Sequence, residues 1–551
     1  MTLLSPVRVY NGRVAKSAVV VQPLTFPQLA EAWNPAEKPS KGRLAAIDIG
    51  SNSIHMIVVA PEPQGGYRVL GRERDMVRLG KTGFRGALSE AAIRDGLEAL
   101  FKMTTLARLK GAERVVAVAT SAVREASNGP DFLARVKAQT GIDVQLLTGA
   151  EEGRLIYRAV REAVDLGPGR AVIVDVGGGS TEWIGTRAGA DELVVSLPLG
   201  SLRCAAELAE DPPAAAAIER LRRRIQKALR ASVPAGSVER MIATSGTAVC
   251  CADLVDYWAG RGPAEVASGL REVRLKDLAQ IVDRLREMRR AAIAALPPVG
   301  GPRSDSLLAG ALLLQEFTAH AGVDRIQVSD RALREGLVLE ALGQPIPPAD
   351  QPEDLRRRQV LQLAERTEGV WRHGQQTARL ALRLFDVTTS IHGLGERERE
   401  WLEYAAVLHD IGYAIHYRNH HKHAYYLITN ANLDAFDRRE IEIIAHVARY
   451  HRGSTPKVRR HPTLAALEPW QRRAVRQLTA LLRLADALDR THASRVDEIY
   501  CAIRRKRVTL EVLSRYDVEL ELEAARERGR YLQKVFGCRL RLRQGLEVAQ
   551  E

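Results

Sequence analysis

From Arg43 onward the apolar positions fall into short runs separated by amphipathic stretches. LAAIDIG is an apolar run closed by Asp and Gly, SIHMIVVA and YRVLGRERDMVRLG read as two further strands, and LSEAAIRDGLEALFKMTTLARLKG repeats its apolar residues at helical spacing. RVVAVATSA then reads as a buried strand. This alternation predicts a mixed α/β sheet with its ligand loops at strand ends. The pattern restarts at AVIVDVGGGSTEWIG, again an apolar strand ending in Asp-x-Gly, and LVVSLPLGS follows as a strand. Asp48 and Asp175 thus take equivalent places in two halves, and an internal duplication around a ligand cleft is expected.

Beyond about residue 345 the texture changes. GQPIPPADQPEDL reads as a Pro-rich linker, and the chain is then almost wholly helical in period to about Arg507. VTLEVLS and VELELEA alternate like exposed strands, AARERGRYLQKVFG is helical, and CRLRLRQ reads as a last strand. The expected division is a partly disordered extension (1–42), two α/β domains (43–170 and 171–345), a helical domain (346–507) and a small α/β domain (508–551).

Composition narrows the class. The 551 residues are 46% hydrophobic and 27% charged, an ordinary globular balance. No run reaches the roughly 18 to 20 apolar residues of a membrane span, and the start lacks a signal-peptide core. The five cysteines show no CxxC spacing, which fits a reducing cytoplasm. With 81 Lys+Arg against 67 Asp+Glu the formal charge is +14, so the expected partner is anionic. Arg449 to Arg476 carries eight Lys/Arg against one acid, Glu468. Aromatics make up only 5% of the chain, which argues against single-strand stacking platforms, so neither nucleic acid nor membrane is an expected partner.

Two loops carry the first candidate chemistry. In Asp48-Ile49-Gly50-Ser51-Asn52-Ser53 a glycine turn is followed by amides, hydroxyls and an amide side chain that can cradle phosphate oxygens. Asp175-Val176-Gly177-Gly178-Gly179-Ser180-Thr181-Glu182 repeats the device, with Asp175 and Glu182 offering hard oxygens to Mg²⁺. In Thr148-Gly149-Ala150-Glu151-Glu152 the Thr and the Glu three residues on predict a capping box, which leaves Glu152 free to serve a water as general base. Arg124 follows the RVVAVA strand and can fork onto a phosphate, and Thr244-Ser245-Gly246-Thr247 is a further small-residue turn.

Taken in order, DIGSNS, SAVREA, GAEEGRL, DVGGGSTE, SLPLGS, SGTA and SDRALREG resemble the exopolyphosphatase/guanosine-pentaphosphate phosphohydrolase (Ppx/GppA) family, over about Arg43 to Leu342. The resemblance implies a duplicated, ribonuclease H-like fold of the actin-like (ASKHA) superfamily. It also implies roles: Glu152 as catalytic base, and Asp175 and Glu182 as the acids that bind Mg²⁺ and position the attacking water. Asp48, Gly50, Ser51, Asn52, Ser53, Gly177, Gly178, Gly179 and Ser180 would bind phosphate, with Arg124 a phosphate-contacting arginine.

The helical region carries a second constellation, His409-Asp410 with His373 upstream and Asp486 downstream. Imidazole nitrogen with carboxylate oxygen suits Mn²⁺, Fe²⁺ or Mg²⁺. This pattern resembles the His-Asp phosphohydrolase (HD) domain, and of the nearby histidines, His423, His446 and His451 are the expected extra ligands of a two-metal site.

The expected function is Mg²⁺-dependent, processive hydrolysis of terminal phosphate from inorganic polyphosphate by a cytoplasmic homodimer. Two alternatives stand beside it: removal of the 5′-γ-phosphate of guanosine pentaphosphate (pppGpp), and a non-catalytic sensor of polyphosphate or alarmone.

Overall fold

The computed structural model describes residues 42–62, 66–84, 86–187, 190–234, 238–261, 269–345, 352–365, 367, 371–431 and 433–545. The expected extension, apart from Gly42, and the centre of the Pro-rich linker, 346–351, lie outside the described residues. The chain divides into two compact units, Met1–Gly260 with Arg271–Asp350, and Gln351–Glu551 with Arg261–Leu270.

The first unit is built on two sheets. One contains β1 (Leu44–Ile49), β2 (Ile54–Pro61), β3 (Tyr67–Asp75), β4 (Arg114–Ala119) and β5 (Val144–Leu146) in the order β3-β2-β1-β4-β5. The other contains β6 (Arg170–Val176), β7 (Thr181–Arg187), β8 (Ala190–Leu197), β9 (Arg240–Thr244), β10 (Arg271–Arg274) and β11 (Arg325–Val328) in the order β10-β11-β9-β6-β7-β8. Read from its other edge, β8-β7-β6-β9-β11 repeats the first order, with β10 added. In both sheets the central strand pairs antiparallel with the next strand of its hairpin and parallel with the strand that returns after a helix. The duplication seen in the sequence is thus a duplication of topology. Apolar side chains of each central strand are fully buried because both sheet faces are covered.

Helix α1 (Glu90–Leu109) shows how the pattern folds locally. Ser89 accepts the Ala92 amide at 3.2 Å as its N-cap, and Ile93, Leu97, Leu100, Met103 and Ala107 form its buried stripe. Two later helices are exchanged between the halves. Helix α2 (Gly149–Ala163) follows the first sheet in sequence yet packs on β7 and β8. The second sheet carries α3 (Leu307–Ala321) in its core, and α4 (Leu333–Ala341) follows that sheet but packs on β1, β2 and α2. The α2 and α4 backbones come so close that a Cβ on Gly336 would collide with the Leu155 carbonyl.

In the second unit α5 (Trp371–Val387), α6 (Glu396–Leu408), α7 (His420–Thr429), α8 (Arg438–Arg449) and α9 (Pro469–Ala487) surround one core. A sheet of β12 (Glu498–Arg504), β13 (Arg507–Leu513) and β14 (Arg539–Gly545) joins it through Ile499, Val508, Leu510 and Val512. Two expectations need correction here. The helical stretch ends earlier than Arg507, since Glu498–Arg504 pairs in register with β13. VELELEA is not a strand: it begins α10 (Glu519–Phe536), whose buried Leu522, Ala525, Gly529 and Leu532 recur at helical spacing while Leu520 stays 61% exposed. The Val518, Leu520, Leu522 alternation hid that longer period.

Candidate functional site

In the first unit, the matched registers put equivalent residues at the ends of the two sheets. Asp48 on β1 faces His55 on β2, and His55 faces Arg74 on β3. Asp175 on β6 faces Glu182 on β7, and Glu182 faces Ser196 on β8. One cavity of about 570 Å³ gathers the two loops. Among its lining residues are Asp48, Gly50, Ser51, Asn52, Ser53, Glu152, Asp175, Gly177, Gly178, Gly179, Ser180 and Glu182. Ser245, Gly246 and Thr247 line it as well, with Ser245 held at φ 89°, a left-handed conformation that is costly for a non-glycine residue.

The glycines of the second loop allow the loops to meet. A Cβ on Gly178 would lie 3.1 Å from Ser51 Cβ, and one on Gly179 would collide with Ser121 Oγ, which itself lies 2.9 Å from Ser51 Oγ. Close loop packing, in addition to any anion, therefore requires these two positions to be bare.

Glu152 sits in the first turn of α2, where the expected capping box is formed. The Thr148 amide donates to Glu151 Oε2 at 2.7 Å and the Glu151 amide donates to Thr148 Oγ1 at 3.3 Å, leaving Glu152 to point inward, 5% exposed. Arg124 is not among the cavity's lining residues. It donates to Glu152 Oε1 and, at 2.5 Å, to the Leu147 carbonyl, so its direct partner is the carboxylate rather than open space. A buried carboxylate attracts a guanidinium, which loop position alone did not indicate.

Burial raises every acid of this cluster, and neighbouring cluster acids raise Glu152 and Asp175 further. Burial, opposed by Arg334 and helped by Glu335, pushes Asp48 up to about 7. Burial and the charges of Glu182 and Asp48 hold Asp175 well above the carboxylate range. Glu152 is raised well above it by burial and by Glu182, with Arg124 opposing, and burial raises Glu182 against hydrogen bonds from Ser180 and Ser196. Asp48 Oδ1 is buried with no hydrogen-bond partner. An all-oxygen set of acids that cannot ionise together is the donor chemistry that fits Mg²⁺.

Sequence reading missed the basic half of the cavity. Arg72, Arg74, Arg303, Arg334 and His55 also line it. Among the described residues neither Arg74 nor Arg303 forms an ion pair; Arg74 donates to Met76 Sδ and Arg303 to the Gly246 carbonyl. The available signal was strand alternation, which puts Arg72 and Arg74 on one face of β3, but nothing local reveals what that face meets.

The second unit has its own cluster. His373, His409 and Asp410 form one group of ligand atoms within metal-binding reach, and Asp410, His420 and His451 form another, so Asp410 belongs to both. His373 Nε2 and His409 Nε2 lie 3.4 and 3.7 Å from Asp486 Oδ1, and His420 Nε2 and His451 Nε2 lie 3.3 and 3.5 Å from Asp410 Oδ1. Every ring turns its other nitrogen outward. Nδ1 meets Asp489 Oδ2 at 2.8 Å in His373, and the carbonyls of Ala406, Tyr417 and Ala448 at 2.7, 3.0 and 2.7 Å in His409, His420 and His451. Such partners fix the proton on Nδ1 and leave Nε2 as the inward ligand.

Burial raises Asp410 and Asp486 but the surrounding histidines more than offset it, holding Asp410 below and Asp486 well below the usual range. Burial lowers His373, yet Asp486 and Asp489 outweigh it and bring His373 to about 9. The expected extra ligands are partly corrected. His451 belongs to the cluster and His420 joins it. His446 instead bonds Thr463 Oγ1 at 3.0 Å, and His423 is in neither group. His420 was hidden because it meets His451, 31 positions on and beyond the end of α8, which i,i+4 spacing within one helix does not show.

Comparison with known proteins agrees with the geometry. A profile of the Ppx/GppA phosphatase family matches residues 40–344, and a profile of that family's domain III matches residues 355–526. Exopolyphosphatase 1 of Mycobacterium leprae is 32% identical over 309 residues, 54% of this chain and 89% of its own length. The guanosine-5'-triphosphate,3'-diphosphate pyrophosphatase of Vibrio vulnificus is 27% identical over 498 residues, 88% of this chain and 96% of its own. The crystal structure of an exopolyphosphatase from Cytophaga hutchinsonii aligns with a TM-score of 0.50 at 25% identity, covering 55% of this chain and 99% of that one. With more than half of its length matched by the family profile and a further stretch by the family's own third domain, the chain belongs to the Ppx/GppA phosphatase family and is a hydrolase.

Proposed function

We propose that the first unit is a Mg²⁺-dependent exopolyphosphatase that removes terminal phosphates processively from inorganic polyphosphate. One cavity combines a buried acid cluster with Arg72, Arg74, Arg303 and Arg334, and this combination supports a substrate with many phosphates in a row. Asp175 and Glu182 would hold Mg²⁺, which when bound supplies positive charge to the phosphoryl oxygens. Glu152, raised by burial and tempered by Arg124, takes the proton of the attacking water. The new P–O bond forms as the anhydride P–O bond breaks, and the shortened chain leaves with its negative oxygen held by the two loops and the arginines. Asp48, Gly50, Ser51, Asn52, Ser53, Gly177, Gly178, Gly179 and Ser180 cradle the phosphates.

The test is phosphate release from long-chain polyphosphate and from pppGpp with Mg²⁺, for wild type and Glu152→Gln. Faster release from polyphosphate, lost in the variant, supports the proposal. Faster release from pppGpp would select the second reading, which the longer coverage of the Vibrio vulnificus pyrophosphatase favours. Binding without release from either substrate would point to a sensor. The proposal includes a homodimer in the cytoplasm, and no described helix is long and apolar enough to cross a membrane.

For the second unit we propose an HD-type divalent-metal site on His373, His409, Asp410 and Asp486, with His420 and His451 serving a second ion. The inward Nε2 atoms support it, since His373 Nε2 and His409 Nε2 are buried without a hydrogen-bond partner. Elemental analysis for Mn, Fe and Mg, comparing wild type with Asp410→Ala, tests it.

A further inference from the structure

We propose that His55 is a positioning residue that turns the Ser53 hydroxyl into an obligate hydrogen-bond donor toward substrate phosphate. The inference deepens the assignment of the first unit's cavity as a phosphate site and rests on it.

The two hairpins of the duplication have the same eight-residue form, Asp48 to His55 and Asp175 to Glu182. Ser53 matches Ser180, and His55 matches Glu182, each directly opposite its strand-end Asp. The backbone turns match as well: the Ser53 and Ser180 carbonyls stand at 3.0 Å from the Cβ positions of Gly50 and Gly177. What stands two positions beyond the serine differs: an imidazole in the first hairpin, a carboxyl in the second. In the second hairpin Glu182 Oε1 accepts from the Ser196 hydroxyl of β8, at 2.9 Å.

In the first hairpin the residue opposite the Asp bonds the serine itself. Arg334 Nη1 lies 3.1 Å from His55 Nδ1, and a guanidinium can only donate, so Nδ1 is the bare nitrogen of the ring. Nε2 then carries the ring proton and donates it to Ser53 Oγ at 2.7 Å. One lone pair of Ser53 Oγ is thereby occupied and its own proton has no claimant in the hairpin. Ser53 and His55 both line the cavity, and Ser53 is only 8% exposed. Burial and the neighbouring Arg334, Arg74 and Arg303 hold His55 near 3, so the ring stays neutral at ordinary pH and keeps this tautomer. Ser53 thus keeps its own hydroxyl proton for an anion. A hydroxyl donating to a charged acceptor is worth more than a neutral bond.

The experiment uses the full chain in a Glu152→Gln background, where turnover does not obscure binding, and measures calorimetric binding of inorganic tripolyphosphate with Mg²⁺. Ser53→Ala and His55→Ala are each expected to weaken binding about tenfold. The double variant should be no weaker than either single one, because both remove the same bond. His55→Gln, whose amide can accept from Arg334 and donate to Ser53, should restore binding to within about threefold. All variants should keep the wild-type melting temperature within about 2 °C.

Multiplying losses in the double variant, or a His55→Gln as weak as His55→Ala with folding intact, overturns the proposal. If His55→Ala melts early, the comparison of His55→Gln with Ser53→Ala decides instead. If the Glu152→Gln parent binds no tripolyphosphate at all, the phosphate-site assignment fails with it. Parent binding that is insensitive to Ser53 and His55 overturns only the positioning role.

Discussion

The two acid clusters of this protein meet the same difficulty, buried charge, in opposite ways. Around the first unit's cavity, carboxylates face carboxylates, and Asp48, Glu152, Asp175 and Glu182 are all driven upward by burial. In the second unit carboxylates face imidazoles, and Asp410 and Asp486 are held down while His373 is raised to about 9. The difference teaches that burial alone does not set the protonation of a site. The neighbours decide which groups hold protons, and so which cation could replace them: a hard ion among oxygens in the first unit, a borderline one among nitrogens in the second.

The sharpest way to break this contrast is to disable each cluster separately. Glu152→Gln should lower phosphate release from polyphosphate by about 10²- to 10⁴-fold, measured as free phosphate under saturating Mg²⁺. Asp410→Ala should remove most of the metal found by elemental analysis in the second unit while leaving that release within about twofold of wild type. If both variants abolish the same release, the clusters act as one system and the contrast fails.

A third prediction concerns pH. Asp48 has a folded-state value of about 7 against an ordinary value of 3.8, so the folded protein binds the extra proton in that interval. Its stabilising effect is present below pH 4 and is lost as pH rises through about 7. In EDTA, the melting temperature of wild type should therefore fall relative to Asp48→Asn over this interval, and Mg²⁺ should reduce the gap. Parallel curves in EDTA would show that Asp48 does not hold the proton. The smallest effect is expected at the cap of α2: Thr148→Ala should cost about 1 kcal/mol by urea denaturation, with the fold intact.

Much of the first unit was legible from local pattern. Apolar runs ending in Asp-x-Gly marked β1 and β6, and the spacing of Thr148 and Glu151 marked the start of α2, because strand period and cap chemistry are local. The second unit was legible in its helices and less so in its last residues, where Val518, Leu520 and Leu522 alternate like a strand although the buried stripe of α10 runs on to Leu532.

The chain's residue order thus sufficed for the duplication, the two Asp-x-Gly loops, the Glu152 position and the His409-Asp410 pair, since each is written in neighbouring residues. Folding was needed for everything that depends on distant partners. Arg334 reaches His55 across 279 positions, His373 meets Asp489 across 116, and Arg124 turns to Glu152 across 28. Those pairings arise when sheets and helices bury charges together, and a buried charge takes whichever partner the packing brings near, at a sequence separation that no local pattern records.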